Sequence, residues 1–311
     1  MKKYFINFTK GLAMGAANVI PGVSGGTIAL ITGIFQRIID AIKSFNITAF
    51  SLLFKGKFKE FTRYTDLYFL ISVFLGAVIS IFSLAKILSF LFSNYPIHVW
   101  AYFFGLILAS VYFVGKTINK WSFSTIVFFI LGTAIAILIS VLNPAKENDS
   151  LIYLFICGIV AACSMILPGL SGSFILILLG NYRLVMIDSV TNLDLLVLLP
   201  VVIGAGFGLL AFSYLLSWIY KKFRNQTIAL LTGFILGSLS ILWPWKKVIS
   251  TYIDKHGIVK PLLQKNILPN HYLDMTNNDP HLTAAFILLI VGFLTIVVIE
   301  KIAQTKEENE N

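Results

Sequence analysis

Long apolar blocks separated by short polar ones run the length of this chain. The first block extends from Tyr4 to Ile20, is interrupted at Pro21-Gly22, and continues from Val23 to Ile42. A polar, basic stretch with Lys43, Lys55, Lys57, Lys59 and Arg63 follows, and then come apolar blocks near 67–93, 97–115 and 123–142. After a polar break at Asn143 to Ser150 the plan returns: an interrupted block at about 151–180, then blocks near 193–220, 226–245 and 282–300. A helical block of about 18 or more apolar residues is long enough to cross the hydrocarbon core of a bilayer. The period-two alternation of a membrane β-barrel is absent. The pattern predicts an all-α polytopic membrane protein.

The two halves are related. Pro21-Gly22-Val23-Ser24-Gly25-Gly26-Thr27 returns 147 residues later as Pro168-Gly169-Leu170-Ser171-Gly172-Ser173, and Gly11 matches Gly158 at the same offset. Later elements match at an offset of 128: Gly105-Leu106-Ile107-Leu108-Ala109-Ser110 corresponds to Gly233-Phe234-Ile235-Leu236-Gly237-Ser238, and Gly76-Ala77 to Gly204-Ala205. The longer basic loop of the first half accounts for the change of offset. The reading is two membrane repeats, 1–150 and 151–311, the second with a polar insertion at about 246–281. The expected fold is all-α with two inverted repeats, each a broken re-entrant helical hairpin plus three transmembrane helices. That is the layout of many alternating-access transporters. Fully spanning broken segments would instead make the repeats parallel. The second copy's arms, about 17 and 12 residues long, favour re-entry because the latter is short for a crossing.

Composition adds little to this and excludes some alternatives. The chain of 311 residues is 58% hydrophobic and 12% charged, with a net charge of +10. The basic residues sit in short loops between apolar blocks, as cytoplasmic loops do under the positive-inside rule, so the charge does not argue for nucleic acid. With the N-terminus cytoplasmic, loops 43–66, 116–122 and 221–225 fall inside, and 94–97 and 143–150 fall outside. The C-terminus then also lies in the cytoplasm, and the insertion lies outside despite Lys246, Lys247, Lys255, Lys260 and Lys265. Cys157 and Cys163 lie in one apolar segment without disulfide or redox spacing. The histidines at 98, 256, 271 and 281 are scattered, so no metal centre and no cofactor is expected. The N-terminal segment could pass for a signal peptide, but Gly11 belongs to the duplicated unit, which argues that it stays.

Pro and paired Gly inside an apolar block break the helix and free backbone groups, which in lipid must be met by protein, water or ligand. After each break a new helix opens with small hydroxyl and glycine residues. Its first N–H groups suit an anion such as phosphate or carboxylate, with glycine allowing close approach. The alternative is that the small residues let two half-helices pack closely. The motif lacks the Lys of a P-loop, and no His lies near either copy to serve as a phosphatase nucleophile, so the chain is not read as an enzyme. Arg37 and Arg183 follow the two motifs. Each is either a bidentate phosphate ligand or a snorkelling interfacial anchor. Asp40 and Asp188 could pair with them or carry protons; Lys86, within the 67–93 block, contacts ligand or snorkels outward. Asn18 either satisfies backbone groups freed at the break or touches ligand. Few carboxylates lie in the spans, so coupling to a proton or another cation stays open.

The segment from Gly11 to Ile42, with its Pro-Gly-Val-Ser-Gly-Gly-Thr core and Gly-Ile-Phe-Gln-Arg continuation, resembles the bacterial PopT family of polyprenyl-phosphate transporters. The second copy, Leu167 to Phe174, looks like that family's second motif. The resemblance covers the chain apart from the insertion and the C-terminal tail. It implies inward flipping of undecaprenyl phosphate across the bacterial cytoplasmic (inner) membrane, which recycles the carrier lipid of cell-envelope synthesis. The partners would be the polyprenyl-phosphate substrate and membrane lipids. Carried onto this sequence, the head-group site comprises Asn18, Pro21, Gly22, Ser24, Gly25, Gly26 and Thr27 of the first copy, with Arg37. From the second copy come Pro168, Gly169, Ser171, Gly172 and Ser173, with Arg183. The two sites should contribute unequally, because Ser173 replaces Gly26 and Phe174 replaces Thr27. A secondary transporter or channel for a small water-soluble anion is the alternative that the residues alone leave open.

Overall fold

A computed structural model describes residues 2–19, 25–142, 145–253 and 259–308 of the chain. The first half holds α1 (Lys2–Val19), α2 (Gly25–Ile31), α3 (Phe35–Lys43), α4 (Ile47–Phe54), α5 (Phe58–Tyr64), α6 (Leu67–Asn94), α7 (Pro96–Lys116) and α8 (Phe123–Val141). The second opens with α9 (Leu151–Ile166) and α10 (Gly172–Leu178), followed by a π-helical turn (Leu184–Asp188) and α11 (Ser189–Asn192). It continues with α12 (Leu195–Lys222), α13 (Arg224–Leu242), α14 (Tyr272–Thr276) and α15 (Leu282–Glu308). The apolar blocks return as α6, α7, α8, α12, α13 and α15, with ends within a few residues of the expectation except at the tail of α15.

Three features differ from the sequence reading. The arm expected to run unbroken from Val23 to Ile42 is two helices, α2 and α3, bent by 116° at Thr32-Gly33-Ile34. Gly33 carries the turn at φ +70°, a conformation that costs residues with a Cβ. The basic stretch 43–66 is not a loop but holds α4 and α5, α4 being capped by the Asn46 side chain, which accepts from the N–H groups of Thr48 and Ala49. The insertion contains the strands β1 (Lys246–Ile253) and β2 (Val259–Asn266), paired antiparallel, so the fold is helical with one small hairpin. The indole N–H of Trp243 donates to Ile267 O at 2.8 Å and that of Trp245 to Pro280 O at 2.8 Å, which fastens the insertion to the end of α13.

Among the described residues, four helices, α7, α8, α12 and α13, are each long and apolar enough to cross a membrane, and counting each bent pair, α2–α3 and α5–α6, as one span brings the number to six. In α7 and α13 most of the apolar window is buried, 56% and 67%, against 17% in α8 and α12, so the first two are central and the others peripheral. The outer helices expose Phe123, Leu131 and Leu138 on α8 and Leu199, Ile203 and Phe207 on α12. An apolar exterior of this extent fits lipid rather than water. This is a multi-pass helical membrane protein.

Glycine allows the central helices to touch backbone to backbone, which is how helices associate where lipid removes the hydrophobic drive. On α1 and α6, a Cβ at Gly11 would strike the Val73 carbonyl, and one at Gly76 the Phe8 carbonyl. On α9 and α12 the same contacts recur, Gly158 against Val201 and Gly204 against Phe155. Likewise α7 packs on α15 through Gly105 against Leu289, and α8 on α13 through Gly233 against Phe129. The chain ends group on two sides. At one, Asn119 N donates to Asn225 Oδ1 at 3.3 Å, Lys221 lies 3.3 Å from Asp40, and Tyr4 stacks edge-on to Tyr68. At the other, the rings of His98 and His281 are 5.1 Å apart, and Ser240 Oγ donates to Ser140 Oγ at 2.9 Å.

Candidate functional site

The two motifs meet. Thr27, on the first turn of α2, is 1% exposed, and its hydroxyl oxygen accepts from the N–H of Gly169 at 3.0 Å. Gly169 sits at φ +82°, and a Cβ there would lie 2.6 Å from the Phe234 carbonyl of α13, so no other residue fits this turn without strain. Pro168, Gly169 and Leu170 are buried around it. The apolar cluster that surrounds the junction draws Ala29 and Ile39 from the first half and Ile166, Leu170, Leu231 and Phe234 from the second. On the other side of the break, Asn18 Oδ1 accepts from Gly25 N at 2.7 Å. Of the two roles expected of Asn18, it performs the satisfaction of a freed backbone donor. Pro21, Gly22 and Ser24 lie outside the described residues.

In the second motif the hydroxyls of Ser171 and Ser173 share a hydrogen bond of 2.8 Å, Ser173 is exposed and Gly172 is buried. Ser171 opens α10, its carbonyl accepting from Ile175 N at 3.0 Å. The sequence offered the motif amides to an anion; here Gly25 N and Gly169 N are already taken by protein oxygens. Among the described residues, the junction is a seam between the half-helices where these two amides face protein oxygens and Ser173 lies at the exposed edge.

The charged groups gather elsewhere. A cleft of about 450 Å³ is lined by Gly33, Gln36, Arg37, Asp40, Ala41, Tyr64 and Asp66, and includes none of the described motif residues. The guanidinium carbon of Arg37 lies over the ring of Phe69, 3.9 Å from its centre, and Phe69 is fully buried. The edge of its guanidinium is held by Asp66, Nε to Oδ2 at 2.6 Å and Nη2 to Oδ1 at 3.0 Å. One turn on, Asp40 Oδ1 accepts from Ser217 Oγ at 2.7 Å and lies 3.3 Å from Lys221 Nζ, both on α12. Lys10 reaches from α1 to donate to Thr32 O at 2.7 Å, at the bend beside the cleft.

The second copy is built differently. Arg183 lies 3.5 Å from Asp188, across the π-helical turn, and its side chain is 66% exposed. The residue that organises this bend is Asn181, fully buried, whose amide donates to Asn148 O at 2.7 Å and accepts from Asn148 N at 3.0 Å. It thereby ties the bend to the connection between the halves.

Asp40 and Asp188 were each read as a partner for the neighbouring Arg or as a proton carrier. Asp188 does approach Arg183, whereas Asp40 turns to α12 and leaves Arg37 to Asp66. Asp66, Lys10, Ser217, Lys221 and Asn181 were not singled out from sequence. Lys10 had a visible signal, an ionisable residue inside the first apolar block. Asp66, which with Glu60 makes the two acids of the basic stretch 43–66, had a weaker one. The side chain of Lys86 lies outside the described residues.

Residues 14–260 match a protein family described as VCA0040-like, undecaprenyl phosphate translocase-like. The chain is 39% identical over 301 residues to a polyprenyl-phosphate transporter of Vibrio cholerae, covering 97% of each chain. It is 35% identical over 259 residues to a polyprenyl-phosphate transporter of Staphylococcus aureus, covering 77% of this chain and 86% of that relative. No solved structure matches it. The family match spans most of the chain, and the 39% identity extends over nearly its full length: the chain belongs to the undecaprenyl phosphate translocase-like family of membrane proteins.

Proposed function

We propose that this protein flips undecaprenyl phosphate, or a closely related polyprenyl phosphate, inward across the bacterial cytoplasmic membrane so that the carrier lipid is reused. It acts as a transporter and not as an enzyme. The observation that carries this reading is the Thr27–Gly169 bond, which joins the two duplicated broken segments at the centre of the helix bundle. In transporters built from inverted repeats the substrate is held where broken helices of the two repeats meet.

The two repeats, 1–150 and 151–311, are inverted in this reading. In support, glycine contacts recur at the sequence offsets of 147 and 128 that relate the motifs, and the end of α7 lies beside the start of its counterpart α13. The first α1–α3 unit enters and leaves on one side, which agrees with the 116° bend. The end of the molecule that gathers Lys43, Lys116, Lys120, Lys221, Lys222 and Arg224 faces the cytoplasm, and both termini lie there. In this reading the phosphate head is met by the motif residues Asn18, Pro21, Gly22, Ser24, Gly25, Gly26 and Thr27 of the first copy and Pro168, Gly169, Ser171, Gly172 and Ser173 of the second. It exchanges its oxygens for the internal acceptors Asn18 and Thr27 as the seam opens. Arg37 and Arg183 neutralise it on the way, and the prenyl tail stays in lipid.

The test is the amount of undecaprenyl phosphate at the outer cell surface, read with a non-permeant probe of the phosphate head in cells with and without this protein. Lower exposure with the protein present is expected. Unchanged exposure at confirmed expression would overturn the lipid reading in favour of a small-anion transporter.

A further inference from the structure

We infer that the Arg37 cleft is a phosphate-monoester site of its own, separate from the motif seam, and that Asp66 is the internal anion a phosphate must displace to occupy it. The inference deepens the proposed transport and rests on it for the identity of the lipid ligand.

The argument starts from the guanidinium. Arg37 is fixed from below by the buried ring of Phe69, so its planar edge is presented in one direction. That edge now holds the Asp66 carboxylate in a two-point fork, with N–O distances of 2.6 and 3.0 Å. A carboxylate and a phosphate offer the fork the same pair of oxygens, which is why arginine reads both. Asp66 is poorly committed to its own backbone site. It stands at the start of α6 with φ 47°, in the left-handed region, and its side chain makes no capping bond to the helix. The other carboxylate in the cleft, Asp40, already has Lys221 and Ser217. Displacing Asp66 thus frees Arg37 without disturbing the second pair.

A second polar group faces the same cleft. Gln36 is enclosed at both its side-chain N and O and is turned to Asp40, to which its amide is only loosely bonded. An enclosed amide gains from a full partner. A phosphate oxygen seated against Arg37 would give the Gln36 amide an acceptor. The cleft is open, about 450 Å³ in volume, and lies at the end of the bundle that carries the basic loops. It would serve as the station where a head group is released from, or received into, the cytoplasmic leaflet.

The experiment measures equilibrium binding to the full chain in nanodiscs. The probes are a short-chain polyprenyl phosphate, inorganic phosphate and the uncharged polyprenol. Asp66→Asn keeps the size of the side chain and the tolerance for the left-handed backbone while removing the competing charge. It should tighten lipid-phosphate binding by at least about fivefold, because a larger fraction of the protein then holds a free fork. Arg37→Gln should weaken it by at least about tenfold, the equivalent of one charge-assisted hydrogen bond. Gln36→Leu should weaken it by roughly threefold, the equivalent of one neutral hydrogen bond to the phosphate. Polyprenol should respond to none of these. If inorganic phosphate alone shows the Asp66→Asn gain, the cleft stands and the lipid reading of the protein falls. If neither phosphate shows it while the wild type still flips lipid, the cleft inference falls and the transport reading survives.

Discussion

Arg37 and Arg183 follow the two broken segments at almost the same point, yet the structure treats them as different residues. Arg37 is sandwiched between a buried ring and a two-point carboxylate, in a cleft that also contains Gln36 and Asp40. Arg183 stands mostly in the open, with one long contact to Asp188. The bend beside it is organised by the neutral amide of Asn181 instead. Around both, the helices meet through matching glycine contacts. The backbone scaffold has thus been kept in both halves, while the polar side chains have diverged. Close packing needs a missing Cβ in both copies alike, whereas the proposed transport needs a charge only where the head group dwells.

The comparison can be broken most severely through the scaffold. Gly105→Leu and Gly233→Leu each drive a side chain into a backbone carbonyl of the facing helix. Each should cost more than about 3 kcal/mol, the upper end of ordinary overpacking. If the scaffold is duplicated, the two losses of folded protein, followed by thermal unfolding in detergent, should be alike. Asn181→Ala should come next. It leaves both polar groups of the Asn148 backbone without their partner, at a cost of about 1–3 kcal/mol. Transport per folded molecule should be unchanged, which separates an organising residue from a ligand-binding one. For the arginines the expectation reverses. Arg37→Gln should reduce the clearance of surface undecaprenyl phosphate in cells by roughly tenfold, and Arg183→Gln by less than about twofold, since an exposed single contact is worth little.

A separate prediction, read in pH and not in a lost contact, concerns the insertion. Lys246 begins β1, its ammonium lies 3.5 Å from the centre of the Trp100 ring, and burial pushes its pKa down from 10.5 to about 7. Unfolding returns the group to water and to its ordinary pKa, so between about pH 7 and 10 the unfolded chain binds more protons than the folded one. Stability should therefore rise with pH across that window, by at most about 1.4 kcal/mol per unit, and level off below it. The rise should be absent from Lys246→Met, as read from unfolding midpoints in detergent at a series of pH values.

Much of the scaffold was legible because its signals are collective. Runs of apolar residues long enough to span lipid identify α6, α7, α8, α12, α13 and α15, and the Gly11/Gly158 and Gly105/Gly233 pairs that align the repeats turn out to lie at close helix contacts. The bend at Gly33 was not visible. A single glycine in an apolar run is tolerated in a helix, and only its φ of +70° reveals the turn. The stretch 43–66 read as a loop because its charges hid two short helices, one of which depends on a cap at Asn46. At the site, the motifs announced the junction but not its bonding. Whether a glycine amide faces a ligand or the Thr27 hydroxyl depends on a contact 142 residues away in sequence. Asp66 escaped notice for the same reason, since its partner Arg37 lies 29 residues distant across a bend.

The most direct test is reconstitution of the purified protein into liposomes carrying a fluorescent short-chain polyprenyl phosphate in both leaflets. An impermeant quencher would be added outside, and a parallel sample would contain labelled inorganic phosphate. The account predicts that the quencher-protected lipid pool is lost in wild-type vesicles, persists in protein-free ones, and drains slowly with Arg37→Gln, while inorganic phosphate does not enter. A protected pool that persists in wild-type vesicles, together with entry of inorganic phosphate, would contradict it.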